Sequence, residues 1–207
     1  DEEIRAATEL LQSTIETTEF HQKLQLEMEN ISQTRKTFET NKKKLKTDLK
    51  KCTAFVKKIK SGAVWSMKVA DLEKDISTLN LSRYVEEVVS GIIESTIKPK
   101  LSDLTLFLCL VHAMNVRYSN FVSLLVPQLW SVINGKSNPE TVKLRRLYVR
   151  LLVRVVLSGI VTETKPLAKC LGEAAGAPDE YKTVNDPMLV VAFCKAAGYE
   201  VFGIIPR

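Results

Sequence analysis

Glycine and proline are scarce in this chain, eight and seven of 207 residues, and long stretches contain neither. Helix interiors exclude both residues and turn-rich sheets need them, so the scarcity points to helices. Histidine is scarcer still: His21 and His112 are the whole supply. No cluster of Cys or His has metal-ligand spacing, so no metal centre is expected. His21 reads as exposed and His112 as lying on or beside a packed helix face. The four cysteines, at 52, 109, 170 and 194, form no Cys-x-x-Cys pair. All lie in apolar helical patterns and read as core thiols of a reducing compartment. No apolar run is long enough to span a bilayer; Leu104 to Met114 is among the longest.

Catalytic and nucleotide-binding signatures are also missing. Gly135-Lys136-Ser137 has the last letters of a phosphate loop but neither its upstream glycine nor a preceding strand. Glu86-Glu87 and Asp179-Glu180 are adjacent and diverge on a helix, which gives no acid–base pair. Cys109 and His112 are within reach of each other, but apolar surroundings raise a thiol pKa. No cofactor, small-molecule substrate or enzymatic activity is expected. The chain begins at Asp1 without a targeting segment and reads as a domain cut from a longer protein.

What is present is charge, concentrated in one place. Residues 35–60 hold eleven Lys or Arg against Glu39 and Asp48, a net +9 where the whole chain sums to +6. The other residues together are therefore at −3. A local stripe is a footprint for a polyanion, whereas evenly spread charge serves only solubility. Lys43, Lys46, Lys50, Lys57 and Lys60 recur at helical spacings and can share a face, flanked by Lys42, Lys44, Lys51 and Lys58. The plainer reading is a solvated helix face. The candidate polyanion-binding residues are Lys42, Lys43, Lys46, Lys50, Lys51, Lys57 and Lys58. Phe38 and Phe55 fall on the apolar side, so contact with phosphate is expected rather than base stacking. Lys43, Lys46 and Lys50 should point away from Leu45 and Leu49. A second candidate stripe, Lys143, Arg146, Arg150 and Arg154, steps by three, four and four along one helix face. Pairing with acids on an adjacent helix, such as Glu163, Glu173 or Glu180, explains these residues equally well.

The apolar pattern is helical throughout. Residues 1 to about 60 form one or two long amphipathic helices; Leu24, Ile31, Phe38 and Leu45 are seven apart, and Arg35 and Lys42 interrupt the interleaved row. Such a broken heptad suits a helix lying against a bundle. Ser61-Gly62 is the first break, followed by a helix over 63–78. Ser82 and Ser102 are expected to cap the next two helices. A third runs from about Asn120 to Ile133, with Pro127 expected to kink or split it. Residues 134–139 form a loop, and a long helix then reaches Gly159. Pro166 starts a helix ending near Gly176, and Asp179 to Asn185 is a polar loop. Asp186 caps a last helix that begins at Pro187 and stops at Gly198. No segment reads as a confident strand. The expected fold is all-α: a HEAT-like helical-repeat solenoid of antiparallel helix pairs, residues 61–207, with a long basic N-terminal extension over 1–60. Val201, Phe202, Ile204 and Ile205 look like the start of a further packed element, so truncation at the C-terminus is expected.

Four blocks carry a family resemblance: Lys-Lys-Cys-Thr-Ala-Phe-Val-Lys-Lys-Ile-Lys (50–60), Leu-Asn-Leu-Ser-Arg-Tyr-Val-Glu-Glu-Val-Val (79–89), the helix from Asp103 to Phe121, and Val-Phe-Gly-Ile-Ile-Pro-Arg (201–207). In order and spacing they resemble the HEAT-type domains of the family named after the middle domain of initiation factor 4G, as found in a scaffold of nonsense-mediated mRNA decay. The resemblance implies a non-enzymatic docking platform in the cytoplasm. Its implied partners are other decay or translation factors, other domains of the same scaffold and RNA, with no membrane. The alternative is a sequence-independent module that binds RNA or an anionic surface through the 35–60 stripe.

Overall fold

The computed structural model describes residues 2–42, 45, 48–135, 139–175 and 187–202. Ten α-helices occur among them: α1 (Glu2–Glu29), α2 (Ile31–Asn41), α3 (Leu49–Ser61), α4 (Val69–Thr78), α5 (Val85–Glu94), α6 (Leu104–Asn115), α7 (Phe121–Ile133), α8 (Pro139–Leu157), α9 (Lys165–Ala174) and α10 (Pro187–Phe202). Short 3-10 turns cover Ala63–Ser66 and Leu101–Asp103. No strand occurs among the described residues, and the fold is all-α and of helical-repeat type. No described helix is long and apolar enough to cross a membrane. The expected polar loop at 179–185, the Asp186 cap and the helix stop at Gly176 lie outside the described residues, as do Ile204 and Ile205.

Two compact units emerge from the packing. One gathers Asp1–Met28 with Ile133–Arg207, and the other is Glu29–Val132. Ser61-Gly62, where the sequence places its first break, lies inside the second unit.

In the second unit α3 packs on α5 and α4 on α6. α3 turns Cys52, Phe55, Val56 and Ile59 inward, spaced three and four apart as one helix face requires. Asp48 caps it, its Oδ1 accepting from the amides of Lys50 (2.9 Å) and Lys51 (3.2 Å). Leu49, expected inward, is 65% exposed: as the first residue of α3 it precedes the buried face. Phe38 of α2 meets Tyr118 edge to face at 5.3 Å. Arg35, read as an interruption of the apolar row, donates to the carbonyl oxygen (2.9 Å) and Oδ1 (3.0 Å) of buried Asn115. The buried Tyr118 hydroxyl accepts the Leu81 amide at 2.9 Å.

Several helix ends differ from expectation. Residues 1–60 make three helices, because the chain breaks at Asn30 and again before Asp48. Ser82 caps nothing: its hydroxyl goes to Asn80 Oδ1 at 2.6 Å, and α5 starts at Val85 without a side-chain cap. Ser102 sits within a 3-10 turn whose Asp103 carboxylate accepts the Lys100 amide at 2.8 Å. α7 runs unbroken through Pro127. Its buried residues are Phe121, Leu125, Leu129 and Ile133, whereas Pro127 and Ser123 are exposed. The carbonyl freed by the missing proline N–H, that of Ser123, therefore meets water.

The turn after α3 generates a stability test. Gly62 holds φ at +79°, a left-handed conformation that glycine adopts without a Cβ penalty. The loop after α5 closes onto it. Ser95 Oγ (2.7 Å) and Trp65 Nε1 (3.1 Å) both donate to the Ile97 carbonyl, and the Thr96 amide donates to Lys60 O at 2.9 Å. A Cβ on Gly62 would collide with the backbone oxygen and Cβ of Ile97. Gly62→Ala should destabilise the protein by about 2–4 kcal/mol, combining left-handed strain with overpacking. Urea unfolding reads this as a lower midpoint; a loss below about 0.5 kcal/mol would mean that the Ile97 loop yields freely.

Candidate functional site

The basic run is only partly on a described surface. Lys43 and Lys46 lie outside the described residues. Lys42 ends α2, half-exposed, with Nζ 3.1 Å from Glu39 Oε1. The rest stand on α3. Lys50, Lys51, Lys57 and Lys58 are exposed, on the side opposite Cys52, Phe55, Val56 and Ile59. At 100° per residue, Lys50 and Lys57 nearly superpose in projection, with Lys51 and Lys58 on one flank and Lys60 on the other. Two of these charges have acidic neighbours. Lys58 Nζ is 2.8 Å from Asp75 Oδ2 on α4, and Lys51 Nζ is 4.0 Å from Asp48 Oδ2. Both pairs are exposed and hold little energy. What remains is a two-turn lysine face with no aromatic side chain on it.

The second candidate stripe is not a surface stripe. On α8, Lys143 is exposed, while Arg146 and Arg150 are half-buried. Arg154 turns into the first unit, where its Nη1 lies 3.3 Å from His21 Nε2. Burial lowers the pKa of Arg154, partly offset by Glu200. Burial also lowers that of Arg150, with the Arg146 charge adding to the effect. The carboxylate beside Arg154 is thus Glu200 of α10, and Glu180 lies outside the described residues. Arg145, one residue off the stripe, is completely buried, and its Nε donates to the Ile133 carbonyl at 2.6 Å.

His21 corrects the sequence reading. It is 1% exposed, with Nδ1 2.8 Å from both oxygens of Glu200. Arg154 can only donate, so the geometry is satisfied when His21 Nε2 accepts from it and Nδ1–H donates to Glu200. These residues line or border a cavity of ≈ 340 Å³ formed by α1 (Leu10, Ser13, Thr14, Thr17), Arg154 of α8, and α10 from Lys195 to Glu200. α10 itself continues past Gly198, which is buried inside it. With Ala196 and Ala197, that glycine makes a small-residue surface on a helix that packs closely on α8. The carboxylate partner of His21, Glu200, lies 179 residues away, so no local signal marks the cluster. Its only sequence trace is a lone histidine in a polar helix.

His112 is buried on α6, as expected. Cys52, Cys109 and Cys170 are buried, but Cys194 is exposed. α10 is apolar around nearly its whole circumference, so its periodicity does not say which side faces water. Burial pushes the Cys52 thiol above its ordinary pKa, aided by Asp48. Burial does the same to Cys170, aided by Glu173. Alkylation of the native protein should label Cys194 first, with the other three slower by about tenfold or more. Mass spectrometry of a time course resolves the sites; equal rates for Cys52 and Cys194 would contradict the burial. Among the described residues no group of three or more His, Cys, Asp or Glu is placed to hold a metal ion.

No protein-family model matches the chain. Regulator of nonsense transcripts 2 from Mus musculus is 32% identical over 171 residues, covering 79% of this chain. The Homo sapiens protein of the same name is 31% identical over the same length. The chain spans 13% of the length of these relatives. The crystal structure of the first MIF4G domain of human nonsense mediated decay factor UPF2 matches 100% of this chain and 67% of that one, with a TM-score of 0.76 at 26% identity. The structural match spans the whole chain and so includes the blocks on which the sequence resemblance rests.

Proposed function

We propose that this chain, which belongs with the MIF4G helical-repeat domains and is homologous to the first of them in UPF2, is a scaffold module of the nonsense-mediated mRNA decay machinery. The observation that carries this reading is one alignment of sequence and fold with a single domain of a decay factor. Its work would be docking, without catalysis. The partners would be other decay or translation factors and further domains of the same scaffold, in the cytoplasm. A tagged domain passed through cytoplasmic extract should retain decay factors above the level of an unrelated helical-repeat control. Retention of none would sink the reading.

A second reading, RNA binding, is favoured by one specific observation: the exposed Lys50, Lys51, Lys57 and Lys58 on α3. Four lysines without an aromatic platform suit phosphate contact and no base readout. With about three or four phosphates neutralised, single-stranded RNA binding should weaken with a log–log salt slope of about −2 to −3. Reversing Lys50, Lys51 and Lys57 to Glu should abolish it while leaving the circular dichroism spectrum intact, because none of the three faces the core. Unchanged affinity in the triple variant would reject α3 as the site. No affinity in the parent at low salt would leave protein docking alone.

A further inference from the structure

The N-terminal half of α1 buries nothing. Every residue from Glu2 to Ser13 is exposed, and the first buried side chain of the helix is His21. Polar pairs hold this half together: Arg5 Nε donates to Glu9 Oε1 at 3.0 Å, and Gln12 Nε2 to Glu16 Oε1 at 2.9 Å. Such pairs contribute little, and a helical segment this short without a packed face is marginal in water. Yet α1 is not polar all round its outer side. At 100° per residue, Ile4, Leu11, Ile15 and Leu26 fall within an arc of about 60°, while His21 and Leu24 project more than about 100° from its centre. Ile4 is 69% and Leu26 61% exposed; Leu11 is exposed and Ile15 half-buried. The stripe thus faces away from the side by which α1 enters its unit. Charge selects among possible occupants. From Glu2 to Phe20 the helix carries five carboxylates (Glu2, Glu3, Glu9, Glu16 and Glu19) against Arg5 alone, a net −4. Glu16 and Glu19 run along the outer edge of the stripe. A second copy of α1 would set these carboxylates against one another. The lysine helix α3 of a second copy does not fit either, because its own apolar face is buried.

We propose that the outward stripe of α1 is a docking surface for a basic amphipathic helix of a partner protein. The partner's apolar side chains pack on Ile4, Leu11 and Ile15, and its flanking Lys or Arg residues meet Glu16 and Glu19, the arrangement that sets partner choice in coiled coils. Thr18 and Gln22 interrupt the stripe before Leu26, so contact centres on the N-terminal half, the part of the helix that lacks packing of its own. The proposal rests on the docking reading above and gives it a surface and a partner chemistry. Its test uses no decay factor, so the two fail separately: a chain that retains no decay factor can still bind the peptide described next, and the reverse.

The test uses the whole chain and a labelled peptide of about three heptads, with Leu at a and d and Lys at e and g. Fluorescence anisotropy should give a Kd of about 10 μM or tighter at low salt, weakening as salt rises. The same peptide with Glu in place of Lys should bind at least about tenfold more weakly. Replacing both Ile4 and Leu11 by Gln leaves the charge unchanged and should weaken binding about tenfold. Both side chains are exposed, so the circular dichroism spectrum should not change. Glu16→Lys with Glu19→Lys is an independent second variant and should cost about as much. Hydrogen exchange places the contact: on adding peptide, amides of residues 4–15 should slow at least about fivefold, with those of α5 unaffected. No binding at 1 mM peptide, equal binding of the Glu peptide, or binding unchanged in the Gln double variant overturns the proposal. So does a dimer in sedimentation that the Gln double variant dissolves, which would make a second copy the occupant.

Discussion

Helix α1 is 28 residues long and buries two side chains, His21 and Leu24. Its side-chain hydrogen bonds to the rest of its unit come from His21 and Gln25. His21 joins Glu200 of α10 to Arg154 of α8, and Gln25 Nε2 adds a bond to the Leu157 carbonyl at 2.6 Å. A long helix with so narrow a buried strip cannot be held by hydrophobic area alone. Its polar anchor must then be complete, because each unmet partner would stay desolvated. Around His21 both ring nitrogens are met, Nδ1 by Glu200 and Nε2 by Arg154.

The second unit rests on the opposite kind of constraint. α3 buries a continuous apolar face and α5 lies close on it, with Gly91 near Ile59. A Cβ added at Gly91 would come within 3.1 Å of Ile59 Cγ2. With one side of α3 committed to the core, its lysines have nowhere to go but water. Their exposure follows from packing, and it costs the fold nothing. A lysine face of this kind is available for binding without having been built for it.

Fold class was legible because it depends on periodicity and on the scarcity of glycine and proline, both properties of single segments. Helix starts and stops were less so. Gly198 has the appearance of a C-terminal stop, but it lies buried inside α10, which runs on past it. Pro127 looks like a break, and its consequence depends on whether the carbonyl it frees meets water. Cys194 sits in a helix apolar on all sides, where no pattern distinguishes inside from outside. The cavity was illegible for a stronger reason. His21, Arg154 and Glu200 come from three helices separated by most of the chain, and no window of sequence contains two of them.

The two basic runs make the same point about charge. Read as strings, Lys50 to Lys58 and Lys143 to Arg154 are alike: cations at helical spacing beside an apolar face. Their fates differ because α8 is packed over much of its circumference, with Tyr148, Val149, Leu151, Leu152, Val153 and Val155 all buried. That arc leaves one face of α8 for the cations, and on it Lys143 is exposed while Arg146, Arg150 and Arg154 are half-buried. Burial then depresses the pKa of Arg150 and Arg154, whereas the lysines of α3 stay hydrated. Arginine tolerates this better than lysine, since its delocalised charge is weakly hydrated and its planar fork can reach carbonyl and imidazole acceptors. Lys143 keeps to water near the start of α8, whereas Arg146, Arg150 and Arg154 are partly withdrawn from it.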